Sequence, residues 1–124
     1  MISGTGVDIV EKERIAKALE RFGEKFIKRV LTEKEKKDCE NKGDRIGSIA
    51  ARFAAKEAVF KAVGTGWAKG VGWHDLEVLT GQNGEPIVTV YGKIAQIVGN
   101  QTVHLSLSHE RHAAIAFVII ENME

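Results

Sequence analysis

Cysteine is almost missing from this sequence. Cys39 is the single one, so no disulfide can close within the chain. A lone thiol in the stretch Glu-Lys-Lys-Asp-Cys-Glu-Asn-Lys suits a reducing compartment and carries no catalytic expectation. A surplus of either charge is missing too: 18 Lys and Arg against 17 Asp and Glu leave a net charge of +1. A dedicated nucleic-acid binder would be far more basic, which sets that class aside. Any charge-driven partner must instead meet a local patch. The longest apolar run, Ala113 to Ile120, covers eight residues, whereas a bilayer span needs about 20. Residues 1–6 show neither the basic start nor the apolar stretch of a signal peptide. A soluble, cytoplasmic protein is expected, with no nucleic-acid or membrane partner.

What is present is ordinary globular composition, 44% apolar and 28% charged over 124 residues. That predicts one domain spanning 1–124, with no repeat, low-complexity tract or linker. Ile2 to Val10 reads as a strand. Glu11 to Phe22 reads as a helix, with Ile15, Leu19 and Phe22 as its apolar stripe. Gly23 interrupts it, and Glu24 to Leu31 continues as a shorter helical piece. Thr32 and Glu35 match a capping box for another short, charged helix. Asp44 caps the longest helix, about Arg45 to Val63, which stops at Gly64-Thr65-Gly66. Leu76 to Thr80 and Pro86 to Tyr91 read as strands around a Gln82-Asn83-Gly84 turn. A short helix over Gly92 to Val98 precedes two further strands, Thr102 to Ser108 and Ala113 to Ile120. The expected class is α+β: an antiparallel sheet packed with one long helix and several short helices.

The long helix carries charges in an odd place. At about 100° per residue, Ile46, Ala50, Phe53, Glu57, Lys61 and Gly64 share one face. A carboxylate and an ammonium therefore stand in line with the apolar stripe. One reading is an i,i+4 salt bridge at the stripe's edge, worth about 0.3 kcal/mol. The other is a carboxylate aimed at a metal and a lysine aimed at phosphate oxygens. Asp8 favours the second, because an acid inside Gly-Val-Asp-Ile-Val is a poor strand residue unless it caps or binds. Two acids could share one hard cation such as magnesium, whose shell water and phosphate complete.

Gly6 to Ile15, with the pattern G-V-D-I-V-E-x-x-R-I, resembles the opening motif of the holo-acyl-carrier-protein synthases. Arg52 to Gly66 resembles their second motif and Ser106 to Glu110 their C-terminal one, in order over essentially the full chain. Trp67 to Gly72 and Ala113 depart from the family pattern. The resemblance implies the small, single-copy 4′-phosphopantetheinyl transferase fold. It also implies Mg²⁺-dependent transfer of 4′-phosphopantetheine from coenzyme A to a serine of apo acyl-carrier protein. Adenosine 3′,5′-bisphosphate would be released, in fatty acid biosynthesis. Carried over residue by residue, Asp8 and Glu57 would bind the metal and Lys61 the diphosphate. Glu57, directly or through a metal-bound water, would take the serine proton.

Further groups follow from the same resemblance or stand near it. Arg45, Arg52 and His104 suit coenzyme A phosphates, and Gly84-Glu85-Pro86 matches a turn placed near the nucleotide. Solvated charge, a solvent-facing histidine and a plain hairpin turn are the alternatives for them. Arg14, Arg21, Lys25 and Lys28 form a positive strip suited to an acidic carrier protein, or simply a solvated face. One copy of so small a domain has trouble enclosing coenzyme A, so the resemblance implies a homotrimer with sites between subunits. Asp8, Glu57 and Lys61 would come from one subunit and His104 from its neighbour. A hydrolase built on Ser106, Ser108 and His109 lacks a G-x-S-x-G elbow. A non-enzymatic binding module is the remaining competitor.

Overall fold

A computed structural model describes residues 1–64 and 70–123. The chain opens with strand β1 (Ile2–Glu11), then helices α1 (Lys12–Phe22), α2 (Glu24–Val30) and α3 (Glu33–Glu40). The 18-residue helix α4 (Arg45–Ala62) follows. After a 3-10 turn at Trp73–Asp75 come β2 (Leu76–Thr80), β3 (Pro86–Val90), helix α5 (Gly92–Val98), β4 (Thr102–His109) and β5 (Ala113–Glu121). The expected elements are all found, with ends that differ by a residue or so. The class is α+β, as expected. The motif residues Thr65, Gly66 and Trp67 lie outside the described residues.

Local chemistry sets the breaks. Gly23 adopts φ +58°, a left-handed conformation open to glycine, and separates α1 from α2 while its N–H bonds to Leu19 O. The Thr32–Glu35 capping box forms as read from the sequence, and the Asp44 carboxylate accepts from Gly47 N at 2.9 Å.

All strand pairs are antiparallel, but they divide into two sheets. One is three-stranded in the order β1-β5-β4; the other is the hairpin β2-β3. Helix α4 lies across the inner face of the larger sheet, where Ala50, Ala54, Ala58, Val59, Ala114, Ala116, Val118 and Ile120 are buried together. Alanine on both surfaces lets helix and sheet approach closely. Larger members of this core, such as Ile15 and Leu76, each supply about 1.5–3 kcal/mol of burial. Among the described residues, no helix is long and apolar enough to cross a membrane.

Candidate active site

The placement of Asp8 begins with two glycines. Gly4, Gly6, Asp8 and Val10 alternate on the β1 face turned to α4. A Cβ on Gly6 would lie 2.0 Å from Ala58 O, and one on Gly4 would lie 2.2 Å from Ala62 O. Any side chain there would push the helix away. Without one, the last turns of α4 rest directly on the strand, and Asp8 meets the helix where Glu57 and Lys61 stand.

Lys61 Nζ lies 2.8 Å from Asp8 Oδ1 and 3.1 Å from Val7 O. The i,i+4 pair of Glu57 with Lys61, open from the sequence, is not among the ion pairs of the described residues; Lys61 turns to the strand instead. Glu57 is half-buried. Burial first, and then the negative charge of Asp8, push its carboxyl above the ordinary glutamate range, against the pull of Arg14 and Lys61. Two carboxylates that feel each other in a partly desolvated corner are a donor set that fits a hard divalent cation.

Beside Glu57 opens a cleft of about 620 Å³. Phe22, Phe26, Phe53 and Trp73 give it aromatic walls, while Arg14, Lys25 and Arg29 supply positive charge. The Arg14 guanidinium sits 5.0 Å above the Phe53 ring, and Arg21 sits 5.1 Å above Phe22. Arg14, Arg21, Lys25 and Lys28 are all exposed on α1 and α2, as the strip required. Sequence reading missed Arg29 and Trp73. The strip's continuation past Lys28 was the available signal for Arg29; nothing in the local sequence announced Trp73, which a turn 20 residues from Phe53 brings to 4.8 Å from that ring.

The remaining candidates fall elsewhere. Arg45 is exposed in the first turn of α4, about 24 Å from Lys61 at 1.5 Å per residue. Gly84 occupies the β2-β3 turn at φ +82°, and Pro86 pairs with Thr80. Arg52 requires a correction. Its guanidinium is buried, donating to Val78 O at 2.9 Å, Ser48 O at 3.2 Å, Thr80 Oγ1 at 3.4 Å and the Asp38 carboxylate. It holds α3 and β2 onto α4 instead of facing a phosphate.

His104 stands opposite Ile119 on the outer sheet face, whereas Asp8 stands opposite Ala116 on the inner one. Its Nε2 lies 3.0 Å from Glu121 Oε1. Within one chain it therefore faces away from Asp8. Ser108 shares that outer face, opposite Ile115, while His109 is opposite Ala114 and points inward. The hydrolase reading loses its serine–histidine pair.

The site joins Asp8 of a strand to Glu57 and Lys61 of a helix laid across an antiparallel sheet. The family model described as the 4′-phosphopantetheinyl transferase superfamily matches residues 4–118, and the chain belongs to that superfamily. Its relatives are more particular. The holo-[acyl-carrier-protein] synthase of Koribacter versatilis is 47% identical over 98% of this chain and 100% of its own. A solved holo-(acyl-carrier-protein) synthase from Bacillus anthracis, in complex with CoA (3′,5′-ADP), superposes with TM-score 0.81 at 40% identity. It covers 97% of this chain and 96% of that one. The Neisseria meningitidis holo-[acyl-carrier-protein] synthase gives TM-score 0.88 at 36% identity, covering 98% and 100%.

Proposed function

We propose that this chain, as a single domain over 1–124, is a holo-acyl-carrier-protein synthase acting with Mg²⁺ in the cytoplasm, in fatty acid biosynthesis. It transfers 4′-phosphopantetheine from coenzyme A to a serine of apo acyl-carrier protein. The observation that carries this reading is the meeting of Asp8, Glu57 and Lys61 where Gly4 and Gly6 admit α4 to β1.

The serine Oγ attacks the phosphorus joined to pantetheine. A new O–P bond forms as the bond to the bridging oxygen breaks, and adenosine 3′,5′-bisphosphate leaves with the electron pair. Asp8 and Glu57 would hold the Mg²⁺, which neutralises charge on the diphosphate oxygens when bound. Lys61, half exposed at the mouth of the site, reaches those oxygens and steadies the leaving group. Glu57, raised above the usual carboxylate range, accepts the serine proton, directly or through water.

A homotrimer fits the way the residues divide. The outer sheet face exposes Val7, Ile9, Ile115 and Phe117, an apolar area that packing against further copies would cover. His104 lies on that face and reaches the neighbour's Asp8 cluster. The cleft beside Glu57 and its basic strip receive the acidic carrier protein.

The decisive assay mixes the protein with coenzyme A, Mg²⁺ and apo carrier protein, and follows phosphopantetheine addition by mass spectrometry. Addition that vanishes in chelator and in Glu57→Gln is expected. No addition, or addition that survives chelation, overturns the reading. A mere binding module would hold coenzyme A with no turnover.

A further inference from the structure

Lys61 has a partner before any substrate arrives. We propose that Lys61 is the resident counter-ion of Asp8, so that a divalent cation must displace it and thereby frees the ammonium for an anionic ligand. The inference rests on the reading that Asp8 and Glu57 hold that cation. The Asp8 carboxylate is mostly buried, its side chain 15% exposed, whereas that of Lys61 is 54% exposed. A shielded carboxylate beside a second acid gains most from a nearby positive charge. Lys61 supplies it through a 2.8 Å contact to Asp8 Oδ1, with a second hydrogen bond to Val7 O at 3.1 Å.

The choice of partner is informative. Glu57, one turn before Lys61, stands in the favourable Glu-to-Lys order for an i,i+4 pair. Among the described residues the lysine nevertheless pairs with Asp8 across elements. A cation bound by the two carboxylates would take the place that the ammonium now fills. The four-carbon stem of lysine is flexible and the side chain as a whole is 54% exposed, so the head group can swing away without disturbing α4. Once displaced, it presents an uncompensated charge beside the metal, where a diphosphate would be met by both. Cation and anion binding are then coupled through one side chain, each favouring the other.

Mn²⁺ binding measured by electron paramagnetic resonance, without coenzyme A, tests the displacement of Lys61 directly. The Lys61→Met protein is expected to bind Mn²⁺ about tenfold more tightly than the unaltered protein, and Asp8→Asn to bind far more weakly. Lys25→Met removes a positive charge from the cleft beside Glu57 that is paired with neither carboxylate, and should shift the affinity by much less. Unchanged or weaker binding in Lys61→Met, with Asp8→Asn still impaired, overturns the counter-ion role and leaves the metal site standing. An equal gain in Lys25→Met also overturns it, since the effect would then be one of general field. Mn²⁺ affinity unaffected by Asp8→Asn removes the metal site itself. Lys61 is a surface side chain, and circular dichroism confirms that each variant is folded.

Discussion

Lys56 Nζ lies 2.6 Å from Glu35 Oε1, and neither side chain has any exposure to solvent. The same ammonium donates to Val30 O at 2.6 Å and Trp73 O at 2.8 Å, so all three of its donors are used. Glu35 in turn accepts from Thr32 N and Val78 N. Burial pushes the Lys56 pKa down, and the Glu35 charge pulls against it. The pair ties α2, α3, β2 and the Trp73 turn to the helix that carries Glu57. Lys56→Met leaves the Glu35 carboxylate buried and unpaired, and should cost about 3–5 kcal/mol in urea unfolding. The double variant Lys56→Met, Glu35→Met should recover part of that loss, because no uncompensated buried charge remains although the N–H groups of Thr32 and Val78 lose their acceptor. A double variant as unstable as the single one would refute the pairing account.

Asp38 gives the fold a dependence on acid. Burial alone would push its carboxyl up. Hydrogen bonds from the Thr80 hydroxyl and backbone N–H, both 2.9 Å, together with Arg52, outweigh that and hold it below the ordinary aspartate range. A depressed folded-state value means stability present at neutral pH that is lost as pH falls through that value. Asp38→Asn should therefore lower stability by about 1.5–3 kcal/mol at pH 7. The gap to the unaltered protein should narrow steadily below the normal aspartate pKa. A gap that stays constant into strong acid would contradict this.

The element pattern was legible because local signals agree: Thr32–Glu35, Asp44 and Gly23 mark boundaries by chemistry that needs no tertiary context. Helical periodicity also singled out Glu57 and Lys61 as charges on an apolar stripe. It could not choose the partner of Lys61, because the answer lies 53 residues away on β1. Arg52 was misread for the same reason. A guanidinium on a helix looks alike whether it meets a ligand or, as here, the carbonyl of Val78 on a strand 26 residues later. Lys56 went unremarked because an ammonium beside a glutamate in sequence reads as surface charge. Only the fold reveals that it is fully buried, the most buried cation among the described residues.

Glu57 should make the metal-free protein pay a small penalty at neutral pH. Its folded-state pKa is raised by burial and by Asp8. The ionised form is thus less favourable in the folded than in the unfolded chain. That deficit is absent below the unfolded-state pKa and complete above the folded one. In chelator at pH 7, Glu57→Gln should melt at a slightly higher temperature than the unaltered protein, and at pH 4 the two should nearly coincide. The same substitution should abolish transfer, a stability gain at an activity cost. A Glu57→Gln protein less stable at pH 7 would show that the carboxylate is welcomed by its surroundings, against the strained acid pair described above.

The outer face of the larger sheet offers the sharpest test of assembly. Val7 and Phe117 are direct neighbours across β1 and β5, and they remain 52% and 47% exposed in the single chain. Ile9 and Ile115 form the next pair along, also exposed. A solvated sheet face would carry polar residues throughout; this one has them at Thr5 and Glu11 on β1, Glu121 on β5 and His104, Ser106 and Ser108 on β4, but keeps Val7, Ile9, Ile115 and Phe117 together at its centre. If three copies meet on this face, Phe117→Asp places a carboxylate in the contact while leaving the inner core untouched. Light scattering should then report monomers where the unaltered protein gives trimers. Transfer should fall by about thirtyfold or more, the equivalent of losing a contact worth 2 kcal/mol. Circular dichroism should be unchanged. A Phe117→Asp protein that remains monomer-sized and fully active, like its parent, would mean that one chain suffices and that His104 plays no part in a neighbour's site.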